Sequence, residues 1–155
     1  FNAAFKSSSI CENPKVDIEK CYYNTVQGSE KTFMERFFLA DSNQKKVMAA
    51  VNSYAKNCKG EEIIVQYDDS SFCNGKVGFL LSNKKLYICN SFEKPQEIEL
   101  SSIQVITASS KHLDSSVTVN NIKISTSMIN KAGTELICNF LQQAIPLAMQ
   151  IQVSE

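Results

Sequence analysis

The chain has 155 residues, 16 basic and 16 acidic side chains, one histidine, 43% apolar residues and 21% charged residues. That length suits one compact domain, and a balanced, apolar-rich composition excludes a disordered tail or a polyelectrolyte built for nucleic acid. The neutrality is a cancellation, because residues 1–60 carry a net +3, residues 61–110 a net −3, and residues 111–155 balance; the basic segment is therefore expected to lie against the acidic one.

In chain order, residues 1–29 are polar and irregular, with Ser7, Ser8, Ser9 and Pro14 and no sustained period. They read as an extended lead-in with one short helix over Val16 to Tyr23. Between Thr32 and Gly60, Phe33 and Phe37, then Met34 and Phe38, recur at i,i+4. Val47, Met48, Val51, Tyr54, Ala55 and Cys58 form a second stripe. That spacing predicts helix packed on a core, with Asp41 or Ser42 as N-cap and Gly60 as stop. After Gly60 the period drops to two: EIIVQYDD, GFLLSN, KLYICNS, QEIELSSIQVIT, SVTVN and NIKISTS are short, rich in β-branched and aromatic residues, and read as strands. Turns fall at Asp68 to Gly75, Ser82-Asn83-Lys84-Lys85, Glu93-Lys94-Pro95 and Asn120-Asn121, spacings that demand antiparallel neighbours. The closing segment, MINKAGTELICNFLQQAIPLAMQI, is an amphipathic helix with Ser127 as the expected N-cap and Pro146 as the expected kink or end. The fold class is α+β, mainly β: six or seven antiparallel strands over residues 61–152, capped by the C-terminal helix and preceded by a lead-in and helical segment over residues 1–60.

The stretch from Gly60 to Ile103 also carries a resemblance. Asp68 and Asp69 end a strand; Gly75, Gly78, Phe79, Leu80, Leu81, Lys84, Leu86 and Tyr87 form a hairpin; Asn90, Phe92, Glu93, Lys94 and Pro95 form a turn; Ile98 and Ile103 follow. This text resembles the bacterial pleckstrin-homology-like domains, with Ser82 where that family usually has Thr. The resemblance implies a bent antiparallel barrel of about seven strands plugged by the C-terminal helix. It also implies a binding or assembly module and brings no enzymatic activity. The loop DDSSFCNGK, with two acids, one Lys and no Arg, argues against a phosphoinositide ligand.

Few residues carry recognisable chemistry. Cys11, Cys21, Cys58, Cys73, Cys89 and Cys138 are even in number, yet no CxxC occurs, Cys89 and Cys138 sit in apolar runs, and the chain is long enough to be stabilised by burial alone. They read as reduced and structural. His112, with Asp114, could complete a Cys–His dyad on Cys73 or Cys89, but no spacing of nucleophile, base and orienting group supports an enzyme. Glu61 and Glu62 point to opposite strand faces, and Asp68-Asp69 is expected to hydrogen-bond the local backbone. Lys76, Lys84, Lys85, Lys94 and Lys111 are the candidate binding residues. The expected function is a non-enzymatic module that binds a protein or peptide partner, or its own copies, through a strand edge or the barrel mouth. The alternative is a membrane-surface or small anionic ligand held by those lysines. No cofactor, metal or nucleic acid is expected. The chain starts at Phe1 rather than Met, which leaves an upstream leader or anchor open, and a cytoplasmic domain is the expectation.

Overall fold

The structure is a computed structural model that describes residues 12–111 and 114–152; residues 7–9, Cys11 and His112 lie outside the described residues. The N-terminal part begins with helix α1 (Pro14–Val26), whose N-cap Asn13 accepts a hydrogen bond from the Val16 amide at 3.2 Å, with proline in the first turn. Ile18, Tyr22 and Val26, four apart, form its buried stripe. The Tyr22 hydroxyl donates to the Phe37 carbonyl at 2.7 Å, which removes the desolvation penalty of a buried phenol.

Helix α2 (Lys31–Arg36) stops sooner than its i,i+4 aromatics predict. Phe37–Leu39 forms strand β1, paired antiparallel with the next strand in the register Phe37 to Tyr67 and Leu39 to Val65. A run of adjacent apolar residues satisfies a helix stripe and a doubly covered strand alike. The strand wins because both faces are covered, leaving Phe37 at 0% and Phe38 at 4% exposure. A 3-10 turn (Ala40–Ser42) then displaces the expected caps, and Asn43 caps helix α3 (Gln44–Ser53) by accepting from the Lys46 amide at 3.2 Å. Helix α3 ends at Ser53 rather than near Gly60, since the amides of Tyr54 and Ala55 both bond the Ala50 carbonyl.

The strands β2 (Ile63–Asp68), β3 (Gly78–Ser82), β4 (Lys85–Cys89) and β5 (Gln96–Glu99) follow as an antiparallel meander, giving a five-stranded sheet in the order β1-β2-β3-β4-β5. A 3-10 turn at Leu100–Ser102 breaks the predicted strand QEIELSSIQVIT in two. The strands β6 (Ile106–Lys111), β7 (Asp114–Val119) and β8 (Ile122–Ser125) form a second antiparallel sheet in the order β6-β7-β8. Two-residue hairpins stand where expected, at Asn83-Lys84 and Asn120-Asn121, the latter with Asn120 in the left-handed region at φ 54°. Helix α4 (Lys131–Ala148) closes the chain. Its N-cap is Asn130, which accepts from the Gly133 amide at 2.8 Å, because the Ser127 hydroxyl is spent on Asp69. Pro146 lies inside the last turns, and the helix ends two residues later.

The architecture is α+β, two antiparallel sheets and a C-terminal helix, as the sequence pattern predicts, with β1 as an added strand. Among the described residues the two sheets share no continuous ladder and do not close into a barrel. Phe37, Tyr67, Phe79, Leu86, Val117 and Phe140 belong to the main core, shared by both sheets, α1 and α4. Successive strand residues face opposite sides, so Leu80 and Tyr87 turn to the outer face of the first sheet. There they meet Ala50, Tyr54, Ala55 and Cys58, a second core beneath α3 and the segment after it. Of the stripe that predicted one long helix, Val51 within α3 and Tyr54, Ala55 and Cys58 beyond it pack on this core, whereas Met48 is exposed and Val47 lies outside the cluster. The basic N-terminal segment meets the acidic strands through Lys15–Glu62 at 2.7 Å and Lys46–Asp68 at 2.9 Å.

Candidate functional site

An unpaired strand edge is a template for another chain, and the two sheets present four. Edge β1 is three residues long. Edge β5 carries Glu97 and Glu99, and Glu97 is paired with Lys85 at 2.9 Å, which holds its carboxyl below the ordinary range. Edge β8 is capped by a side chain: Asn90 donates to the Lys123 carbonyl at 2.7 Å and accepts from the Ser125 amide at 2.9 Å, imitating a ladder residue. Edge β6 lacks these protections over its middle residues, Thr107 to Ser110, among the described residues. Its partner is β7 on one side, its sequence is ITASSK, and Thr107, Ala108 and Ser109 are exposed. Helix α4 reaches its first residue, where the Gln142 amide donates to the Ile106 carbonyl at 3.0 Å.

The loops between β2 and β3 and between β4 and β5 leave the first sheet at one end, since Gly78 at the root of one pairs with Cys89 at the root of the other. The base of the first loop is held from several directions. Arg36 donates to the carbonyls of Asp68 and Ser70 at 3.0 and 2.8 Å. The Asp68 carboxylate, fully buried, takes Lys46 together with the Ser70 amide and hydroxyl at 3.0 and 2.6 Å. Burial alone raises its pKa, but the hydrogen bonds from Lys46 and Ser70 outweigh this and hold it below the ordinary 3.8. Asp69 accepts from the Tyr67 hydroxyl, the Ser127 hydroxyl at 2.8 Å and the Met128 amide at 2.9 Å, tying the loop to the start of α4. Asp68 thus bonds the local backbone as expected, whereas Asp69 departs from the expectation and braces the segment before α4 instead. Above this base, Phe72 is 89% and Phe92 108% exposed.

The five candidate lysines do not gather. Lys76 and Lys94 lie in the two loops at that end, whereas Lys84 and Lys85 occupy the hairpin at the opposite end of β3, roughly 15 Å away by strand rise. Lys111 ends β6 on the second sheet. Lys85 is paired with Glu97; Lys76, Lys84, Lys94 and Lys111 are exposed. A separate groove of about 770 Å³ runs between the α1–α2 connection and the start of α4, past Asn24, Gln27, Phe33, Met128 and Asn130. Glu30 is its one charged lining residue, so it offers nothing to an anion. Burial pushes the thiols of Cys21, Cys58, Cys89 and Cys138 up, opposite to the lowering that activates a nucleophile. Among the described residues no three metal-ligating side chains converge, and no helix is long and apolar enough to cross a membrane.

Sequence reasoning missed the uncovered β6 edge and the two exposed phenylalanines. A signal existed for the latter, in SSFCNGK and NSFEKP, where a lone aromatic sits inside turn text with no apolar period to bury it. In comparison with known proteins, no family model, no curated protein and no solved structure matches the chain.

Proposed function

We propose that this chain is a non-enzymatic interaction module that binds an extended segment of a protein partner by strand addition at β6. The observation that carries the reading is the contrast among the four edges: β1 is short, β5 is charged, β8 is capped by Asn90, and β6 presents small side chains at Thr107, Ala108, Ser109 and Ser110, the first three exposed, between Ile106 and Lys111. Main-chain hydrogen bonds along such an edge supply affinity, and alternate side chains of the incoming strand supply selectivity. The order of four meander strands, three further strands and a closing helix supports kinship with the bacterial pleckstrin-homology-like domains, which are binding and assembly modules. The raised pKa values of four thiols support a non-enzymatic reading, and the five cysteines free among the described residues support a reducing, cytoplasmic setting.

The test is to pan a displayed library of random peptides on the immobilised domain and to add enriched peptides to isotope-labelled protein. The expected result is amide shifts concentrated at Thr107 to Lys111, lost in Ala108→Lys, a charge on the edge that leaves the β6–β7 ladder intact. Peptides that perturb some other surface overturn the reading. So does concentrated protein that dimerises through β6, because the occupant is then a second copy rather than a partner.

A further inference from the structure

Among the described residues, two combine high exposure with a large apolar ring, and folding accounts for neither. Phe72 is 89% and Phe92 108% exposed, so their rings rest on almost nothing within the chain. Phe92 is the third residue of the turn Asn90–Glu93, closed by the Glu93 amide on the Asn90 carbonyl at 3.2 Å, and it adopts φ 63°. That position favours Gly or Asn, and a bulky side chain there is strained. Cys73, next to Phe72, is likewise left-handed at φ 55°. An exposed ring on a strained backbone lowers stability twice over, and such sites are kept where they act on something outside the fold.

The two loops leave the sheet side by side, rooted at the Gly78–Cys89 pair, with neighbouring strands about 4.8 Å apart. Each ring has an exposed lysine close in sequence, Lys76 for Phe72 and Lys94 for Phe92. Asp68 and Asp69 are buried and committed to Lys46, Ser70, Ser127 and Met128, so Glu93 is the exposed carboxylate in these loops. The base is braced by Arg36 and Asp69, and turn bonds hold the loops above it while both rings stay exposed.

We propose that this end of the first sheet seats on an anionic lipid surface, with Phe72 and Phe92 dipping into the interface and Lys76 and Lys94 facing the headgroups. Aromatic rings partition to the headgroup boundary, and lysines flanking them favour anionic over zwitterionic lipid. A protein hot spot would instead set its aromatics at the centre of a packed patch; here each ring stands alone on its own turn. The site is independent of strand addition at β6, and either can fail without the other.

The chain contains no tryptophan, so Phe72→Trp and Phe92→Trp each install a single fluorescent reporter, with Lys84→Trp at the opposite end as control. The probes are vesicles of phosphatidylcholine alone and of phosphatidylcholine with phosphatidylserine, at low and high salt. Both loop reporters are expected to shift to the blue on phosphatidylserine vesicles, with the control unmoved. Lys76 and Lys94 set against Glu93 leave one net positive charge at the tip, which predicts a preference for anionic vesicles on the order of five-fold, lost at high salt. Replacing either ring by alanine weakens partitioning about ten-fold, as for half-burying a phenylalanine. Phe92→Asn is expected to raise the urea midpoint while it lowers vesicle binding, an opposition that a purely structural role cannot produce. No shift on anionic vesicles at low salt, or an equal shift of the control reporter, overturns the proposal.

Discussion

Replacing Lys46 by methionine isolates the charge of the buried pair, because the stem against Phe38 and the α3 turn is kept while the ammonium is removed. Asp68 has 0% and Lys46 13% of its side chain exposed, with 2.9 Å between them. Leaving a buried carboxylate without its cation costs about 3–5 kcal/mol. The low end applies, since Asp68 keeps the Ser70 amide, the Ser70 hydroxyl and the Gly75 amide as donors. The Phe38 ring, 5.6 Å from the Lys46 nitrogen, adds up to about 1 kcal/mol of lost cation–π attraction. Lys46→Met is therefore expected to lose about 3–4 kcal/mol in urea unfolding near pH 7, a large part of the roughly 5–15 kcal/mol of a typical domain. The pH dependence carries the diagnostic. In the native protein Asp68 is held below 3.8, so its contribution is full above the unfolded value and is lost as pH falls through the folded one. Without Lys46 the folded value rises, since burial then faces only the Ser70 and Gly75 donors, so the variant suffers most at neutral pH and is relieved as Asp68 protonates. The gap between the two proteins should narrow as pH falls toward about 4 and close only below it, where native Asp68 is protonated as well, and Lys46→Met with Asp68→Asn should recover most of the loss. A gap that is equal at about pH 4 and about pH 7 refutes the assignment of the loss to the carboxylate.

Gly78 stands at φ 128°, and an added Cβ would lie 2.0 Å from the Tyr67 carbonyl oxygen, so Gly78→Ala should lose about 3 kcal/mol or more in urea unfolding through clash and strain together. Asn90→Ala removes both bonds to β8 and should cost about 2 kcal/mol, with faster hydrogen exchange at the Ser125 amide as the local readout. With a thiol reagent on the native protein, Cys73, the exposed cysteine among the described residues, should react well before Cys21, Cys58, Cys89 and Cys138, whose thiols burial pushes up; equal rates would refute that burial.

The strands and the final helix were legible because their signals are local. Leu80-Leu81 and Leu86-Tyr87-Ile88 alternate between two cores, and Asn83-Lys84 and Asn120-Asn121 mark hairpins by backbone preference alone. What failed depended on distant partners. Phe37 and Phe38 suit a helix as well as a strand until β2 lies beside them, and Ser127 reads as a cap until Asp69 takes its hydroxyl. The lysines of the site were grouped by type without regard to strand direction, so Lys76 and Lys84 were joined although β3 separates them. The uncovered state of β6 was out of reach in principle, because an edge is defined by which strands stand beside it.

Charge illustrates most clearly how folding rewrites a sequence count. Residues 61–110 carry a net −3, which taken at face value argues against any anionic surface meeting this region. Two of those acids, Asp68 and Asp69, have 0% and 5% exposure and face inward to Lys46, Ser70, Ser127 and Met128. A buried carboxylate paired at 2.9 Å with a lysine projects little field beyond the pair. The end of the sheet next to them is then governed by Lys76 and Lys94 against Glu93, a net positive tip on a net negative strand region. The same burial that hides the acids fixes the loop that carries Phe72, because each carboxylate oxygen bonded at the base removes freedom from the residues above it. A tip held this way loses little conformational entropy on binding. The acidic pair that seemed to forbid an anionic partner is thus what leaves the lysines opposed by Glu93 alone and the aromatic ring presented.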